Sequence, residues 1–352
     1  MTPPTMTAVL LLGHGGPERL VVRDDVRTPQ PAAGEVLIRV GAAGLNNTDI
    51  NLRTGWYSKA LDAAHDATAA DAGWTGAAIA FPRIQGADAC GEIFAVGSSV
   101  SQRRIGERVL VNPILESVGN VEGRPPRYLG SDCDGAFAQY LCVPAANAVR
   151  LESGLSDAQL ASFPCAYTAA ENMLNRAQVV AADCVLVTGA SGGVGSAAVQ
   201  LARRRGARVY AIAGASKAAA VTALGAERVL HRDTDLAGAL GHESVSVVID
   251  VVGGSQFPRL LEILARGGRY AVAGAIAGAA VALDLRTLYL KDLALLGCTV
   301  PAPGLFETLV GYIERGEIRP VVSATYPLRA IAAAQADFLS KDHVGKIVLL
   351  PG

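Results

Sequence analysis

The sequence predicts an α/β protein of two domains, a β-rich module followed by a doubly wound parallel sheet. Three observations carry this. The 352-residue length is about twice a typical domain. Residues 6–55 read as short strands and turns ("TAVLLLGHG", "RLVVRDD", "GEVLIRVGAAGL"), a pattern that suits a barrel-like module. Beyond residue 150, strand and helix patterns alternate as "CVLVTG", "SAAVQLARRRG", "RVYAIAG", "SKAAAVTALG", "RVLHRD", "VSVVIDVVG", "FPRLLEILARGG" and "RYAVAG", the period of βαβ units on a parallel sheet.

Along the chain, residues 58–80 are alanine-rich and read as a surface excursion with some helix, either a cover for a cleft or an insertion without function. Strands resume at "CGEIFAVG" and "ERVLVNPI", and "NVEGRPPRYLGSDCDG" is a loop by its Pro and Gly content. Ser156 is a candidate N-cap for the helix pattern "LSDAQLASFPCAYTAAENMLNRA". A helix "GLFETLVGYIERGEIRP" comes at about residue 305, and the terminal strand "GKIVLL" is expected to return to the first module.

Composition excludes several classes. A net charge of −1 with no basic stripe gives no footprint for nucleic acid. Six scattered cysteines (Cys90, Cys133, Cys142, Cys165, Cys184, Cys298) lack C-x-x-C spacing, which argues against a disulfide framework and a zinc ribbon and for a reducing compartment. No cationic, apolar leader opens the chain, and no apolar run reaches the ~18 residues of a membrane span. A cytoplasmic location is the expectation.

The motif with most chemistry is "VLVTGASGGVGSAAVQLARRR". Ala190, Gly192 and Gly195 occupy the G-x-G-x-x-G frame, with Ser191, Gly193 and Val194 between them. Gly192 lets backbone approach a pyrophosphate, Gly195 lets helix pack on strand, and the amides opening the helix face the phosphates. The strand–helix context inside a βαβ series is the one the motif requires; a merely tight turn is the alternative. NAD sites place an acid at the end of the second strand. Here "RVYAIAG" ends in Gly214 and "ASK", so Ser216 and Lys217 are candidates for a 2′-phosphate and NADPH is favoured. The alternative for Lys217 is a solvated first-turn lysine.

These residues resemble the medium-chain dehydrogenase/reductase superfamily, and within it the zinc-independent quinone oxidoreductases (the zeta-crystallin-like branch). The resemblance rests on "AAGLNNTDINLRTGWY", "LASFPCAYTAAENML", "DCVLVTGASGGVGSAAVQLAR", "AGASKAAAVTALGA" and "HVGKIVLLP", which together span nearly the full length. Ala182 departs from the branch's signature, which prefers Gly, Ser, Asp or Asn there. The family implies a GroES-like catalytic domain (residues 1–150 and 306–352), a Rossmann domain (151–305), an active site in the cleft and a homodimer formed through the Rossmann sheet edge. Metal-dependent relatives bind zinc through a Cys, a His and a later Cys or Asp. The matching positions here are Asn46, Ala87 and Cys165, too few ligands for a site that needs three. No metal is expected, and Cys165 reads as a small buried thiol.

Without a Lewis acid, hydride delivery to an activated acceptor is easier than oxidation of a simple alcohol. The resemblance implies catalytic roles for Asn46, near the nicotinamide ribose and substrate, and for Tyr57, as a proton donor or a pocket wall. Asp49 reads as a turn-capping carboxylate, and Trp56 as a stacking surface or core. On the cofactor side the resemblance implies Asn46, Thr168, Val252, Gly274 and Lys346, the last of which reads equally as a surface lysine on the final strand. His231 stands where the branch often has Tyr, and Arg232 is a further candidate for the 2′-phosphate. The expected function is NADPH-dependent, zinc-independent reduction of a quinone or α,β-unsaturated carbonyl. Alternatives are an enoyl-thioester reductase, a dinucleotide-sensing binding protein and, with its ligands missing, a zinc-type alcohol dehydrogenase.

Overall fold

The computed structural model describes residues 2–58, 73–74, 78–115 and 126–352. Most of the 58–80 excursion, and part of the loop after Pro113, lie outside the described residues. The chain forms two compact units, residues 1–165 with 322–352 and residues 166–321.

Apart from the parallel pair of Val322–Pro327 with Lys346–Leu350, the first unit is built from antiparallel strands. Glu35–Gly44 is its centre, pairing with Cys90–Val96, Tyr140–Pro144 and the terminal strand Lys346–Leu350. The return of "GKIVLL" is therefore as expected, with Val348 opposite Gly44 and Leu349 opposite Ala43. Alternating inward residues (Val36, Ile38, Val40) meet Ile93, Val109, Val111, Phe137 and Ile347 in one apolar core. Leu37, Ala42 and Ala43 are fully buried as well, so much of this strand is covered on both faces.

The second unit is a six-stranded, all-parallel sheet. Its spatial order is Arg228–His231, Arg208–Ala213, Cys184–Val187, Val245–Asp250, Leu264–Val272, Ala294–Gly297. In order of sequence this is 3-2-1-4-5-6, the doubly wound order with its switch point between Cys184–Val187 and Val245–Asp250. "CVLV" is buried at every residue, as a strand covered on both faces must be. Helix Gly193–Arg204 follows it and buries Gly195 through Ala202.

Two expectations shift. The helix pattern "FPRLLEILARGG" stops at Ile263, and Leu264 already belongs to the next strand. Between Val245 and Val247 the partners jump from Leu264 to Arg269, so "ARGG" is a bulged strand opening. The unit boundaries also differ from 150/151 and 305/306. Ser156 does cap Asp157–Leu160, reciprocally with Gln159. That turn stays with the first unit because Arg108 holds Asp157 at 2.5 Å. Helix Leu305–Glu314 and the segment after it stay with the second, because Gln200 Oε1 accepts from the Arg319 amide at 3.0 Å. Among the described residues no helix is long and apolar enough to cross a membrane, and the six cysteines are unpaired.

Candidate active site

In the first unit, "GLNNTD" leaves the central strand and opens helix Asn47–Thr54 with Asn46 at the N-cap. Asp49, in the first turn, reaches back and accepts from the Asn46 amide at 2.8 Å, so it caps the turn as read from sequence. Asp49 is buried, and its backbone carbonyl accepts from Gln85 Nε2 at 2.8 Å. Burial pushes its carboxyl up to about 7, against the opposing pull of the Asn46 amide and the Lys346 charge.

Asn46 is itself part of a buried cluster. Its Nδ2 donates to Asp88 Oδ2 at 3.0 Å and, at 3.4 Å, to the Gly44 carbonyl. Its Oδ1 accepts from Lys346 Nζ at 2.6 Å. Lys346 also donates to Asp88 Oδ2 at 2.8 Å and to the Leu45 carbonyl at 2.6 Å. Asp88 Oδ1 takes the Cys165 amide at 2.6 Å. This narrows the reading of Lys346. Of its two readings the surface one falls, since Lys346 is buried and all three donors of its ammonium are engaged inside its own unit.

Beside this cluster, Tyr128 stacks on Trp74 (centroids 4.5 Å apart, rings 20° from parallel) and donates to Cys165 Sγ at 3.0 Å. Burial pushes the Cys165 thiol up to about 12 and the Tyr128 hydroxyl well above its usual range. The thiol therefore stays protonated at neutral pH. Ala87 is fully buried and offers a methyl. One thiol beside an amide and a methyl falls short of the three protein ligands a catalytic zinc needs, and among the described residues no group of three or more His, Cys, Asp or Glu side chains is spaced to hold a metal ion.

Tyr57 lies at the end of the same segment, half-buried, with Trp56 edge-on at 5.4 Å. Its hydroxyl oxygen accepts from Asn51 Nδ2 at 3.4 Å, and burial raises its pKa. Trp56 is 45% exposed, so of its two readings the core one falls.

In the second unit, the glycine loop fits a dinucleotide. A Cβ at Gly195 would land on the Gly189 carbonyl oxygen, far inside contact distance, so only glycine lets this helix sit on its strand. A Cβ at Gly192 would meet nothing closer than 3.5 Å. Space is therefore left above that residue, and it is the N-cap of Gly193–Arg204 with helix amides open beyond it. Ser191, Gly193 and Val194 flank it, all half-buried. Gly274 carries its own packing constraint, since a Cβ there would sit 3.0 Å from the Val251 carbonyl oxygen. Thr168 Oγ1 is buried without a hydrogen-bond partner, an orphan hydroxyl of the kind a ligand satisfies.

At the end of Arg208–Ala213, Ser216 is exposed and Lys217 half-buried in a single 3₁₀ turn, Ala215–Lys217. The Arg232 guanidinium reaches the same place, with Nη2 3.6 Å from where a Gly214 Cβ would be. His231, the residue before Arg232, has its Nδ1 3.2 Å from Asp233 Oδ2.

The sequence reading missed Asp250. It is fully buried at the end of Val245–Asp250 and accepts from Thr188 Oγ1 at 2.5 Å, from the Tyr270 hydroxyl, and from the amides of Val252 (2.8 Å) and Gly253 (3.2 Å). It ties the strand before the glycine loop to the loop carrying Val252. The one available signal was an acid inside the apolar run "VVIDVVG". Asp88 was missed similarly, although it stands next to Ala87.

Residues 32–153 match the family model of the alcohol dehydrogenase GroES-like domain, and residues 193–315 that of the zinc-binding dehydrogenase domain. Neither Asn46, Ala87 nor Cys165 lies within the second match. The chain is 30% identical to the acryloyl-coenzyme A reductase of Metallosphaera sedula, covering 98% of this chain and 99% of that protein. It is 28% identical to the quinone oxidoreductase of Homo sapiens, covering 98% of each. A solved structure from Sinorhizobium meliloti 1021, assigned as an alcohol dehydrogenase, aligns with a TM-score of 0.93 at 49% identity, covering 100% of this chain and 98% of that one. With a GroES-like unit and a Rossmann unit, the chain belongs to the medium-chain dehydrogenase/reductase superfamily, in its quinone oxidoreductase branch.

Proposed function

We propose that the protein is an NADPH-dependent reductase that moves hydride, without a metal, to a quinone or an α,β-unsaturated carbonyl. The observation that carries this reading is the pairing of two features. The positions where metal-dependent relatives hold zinc offer an amide, a methyl and a neutral thiol, and the second Rossmann strand ends in no acid but beside Ser216, Lys217 and Arg232. When bound, NADPH supplies the hydride.

The Rossmann unit would hold the pyrophosphate at Ser191–Gly195 and the 2′-phosphate at Ser216, Lys217 and Arg232, with Thr168, Val252 and Gly274 toward the nicotinamide. In the catalytic unit, hydride arrival at the electrophilic carbon drives an electron pair onto the substrate oxygen. Tyr57 holds the proton for that charge. Its oxygen accepts from Asn51, which leaves its own O–H to donate.

The test follows NADPH oxidation with a quinone, a simple enone and an enoyl-coenzyme A in parallel, with a chelator present. Turnover of the first two is expected, and Tyr57→Phe should lower kcat for the enone about 100-fold. Activity abolished by the chelator would overturn the metal-free reading, and unchanged kinetics in Tyr57→Phe would make that residue a pocket wall. The similarity to an acryloyl-coenzyme A reductase favours one second reading, enoyl-thioester reduction, which turnover of the thioester alone would establish.

A homodimer belongs to the same proposal. Ala294–Gly297 is one of the two edge strands of the parallel sheet, and Leu285, Tyr289 and Leu290, in the helix before it, are 64%, 62% and 57% exposed. An unpaired edge next to such a patch calls for a partner. Sedimentation should give twice the 36.2 kDa chain mass; a monomer at micromolar concentration would refute it.

A further inference from the structure

We propose that Lys346 and Asp88 are positioning residues for Asn46. They hold its side-chain amide in one of its two flips, so that Asn46 can only receive a hydrogen bond from a reactant hydroxyl and does not donate one to the substrate oxygen. This rests on Asn46 acting in hydride transfer, as read above.

The argument is one of donors and acceptors. A primary amide looks nearly the same when rotated by 180°, and its orientation follows from its neighbours. An ammonium only donates and a carboxylate only accepts. Lys346 Nζ lies 2.6 Å from one end of the Asn46 amide, and Asp88 Oδ2 lies 3.0 Å from the other. The reversed amide would set an NH₂ against the ammonium and a carbonyl oxygen against the carboxylate. Both contacts are buried, with Asp88 0% and Lys346 3% exposed, so water cannot relieve them. One flip is therefore fixed.

That flip decides what Asn46 has left. Its two N–H bonds point inward, to Asp88 and to the Gly44 carbonyl. One lone pair of Oδ1 takes Lys346. The rest of Oδ1 faces the Asp49 amide in the reciprocal helix cap, with no full hydrogen bond formed there, and this acceptor, not a donor, is what Asn46 keeps for a hydroxyl of the cofactor ribose or the substrate. The pair also tethers three distant parts of the unit. Lys346 comes from the terminal strand, Asp88 lies next to Ala87, and Asp88 Oδ1 holds the Cys165 amide at 2.6 Å. The groups facing this pair are Asp49 from the helix, Cys165 and Tyr128.

The experiment compares Asn46→Ala, Lys346→Met, Asp88→Asn and the double variant Lys346→Met/Asp88→Asn. Melting temperature, NADPH affinity, kcat for the enone and the primary isotope effect from deuterated NADPH are measured for each. Each single member of the pair leaves a buried partner uncompensated, so Lys346→Met and Asp88→Asn should lower the melting temperature. The double variant removes both charges and should recover most of that loss. Its kcat should nevertheless stay about 100-fold low, with a larger isotope effect, because Asn46 is no longer held. Recovery of kcat in step with the melting temperature would overturn the proposal and make the pair structural only. Wild-type kcat in Asn46→Ala would instead remove the reading of Asn46 on which it rests.

A second measurement needs no variant in the pair. In cofactor-free protein labelled with ¹⁵N-asparagine, the Asn46 NH₂ signal, assigned by its loss in Asn46→Ala, should exchange slowly with solvent. Exchange at the rate of an exposed amide would overturn the inward-pointing flip.

Discussion

Replacing both Lys217 and Arg232 by alanine is expected to weaken NADPH binding by two to three orders of magnitude while leaving NADH binding within about threefold. Each side chain would contribute a charge-assisted hydrogen bond to the 2′-phosphate, worth about 1.5–2 kcal/mol. Two of them give about 3–4 kcal/mol, or roughly a 100- to 1000-fold change in dissociation constant. NADH has no phosphate there and should not register the loss. The geometry behind this is the turn Ala215–Lys217 at the end of the second strand, with the Arg232 guanidinium brought beside Gly214 from the end of the third strand. Glycine at 214 matters, because an acid at that strand end would repel the phosphate and bind the ribose diol instead. Titrating both cofactors by nicotinamide fluorescence measures the effect. Equal losses for NADPH and NADH would move the two cations off the phosphate. The affinity of the wild type for NADPH should also fall with salt more steeply than that of the variant, since two of its contacts are ionic.

Which parts of this site can be read from sequence follows from how far apart the interacting residues are. The glycine loop is local. "VLVTG", "ASGGVG" and the helix after it are contiguous, and Gly192 and Gly195 both answer to Gly189, a few residues before them. The βαβ alternation is legible because strands covered on both faces must be apolar throughout, as "CVLV" is. The replaced zinc positions were readable as residue types, but their surroundings were not. Lys346 and Asn46 are 300 positions apart, Lys346 and Asp88 are 258 apart, and Asp250 meets Thr188 across 62. No periodicity encodes such pairs, so a lysine on the last strand reads as a surface residue until the strand is seen to return to Gly44. The "ARGG" segment was misread for a different reason. Its apolar spacing continues the helix before it, and only pairing with Val245 and Val247 makes it the opening of a strand.

Asp49 gives the second large effect, and its sign is fixed by burial. An isolated aspartate titrates near 3.8, whereas Asp49 is pushed up to about 7 in the folded protein. The folded state therefore holds a proton that the unfolded chain has already released between these two values. Stability from this group is fully present below about pH 4, falls as pH rises, and is lost above about pH 7. A shift of about three pK units corresponds to about 4 kcal/mol, as an order of magnitude. Asp49→Asn cannot ionise and escapes that loss. Its amide oxygen can still accept from the Asn46 backbone, which preserves the helix cap. The Gly86 amide also helps the carboxylate and would face an NH₂ in the variant, at a cost of about 1 kcal/mol. The variant should thus be slightly less stable than the wild type at pH 4 and more stable by up to about 3 kcal/mol at pH 8. Denaturant unfolding of both proteins across that range tests this. Parallel stability curves would mean that Asp49 ionises as an exposed aspartate does, and that Lys346 and the surrounding amides fully compensate its burial. A crossing would mean that the carboxyl beside Asn46 keeps its proton up to neutral pH. The pH dependence of kcat near 7 would then include a group that never touches the substrate.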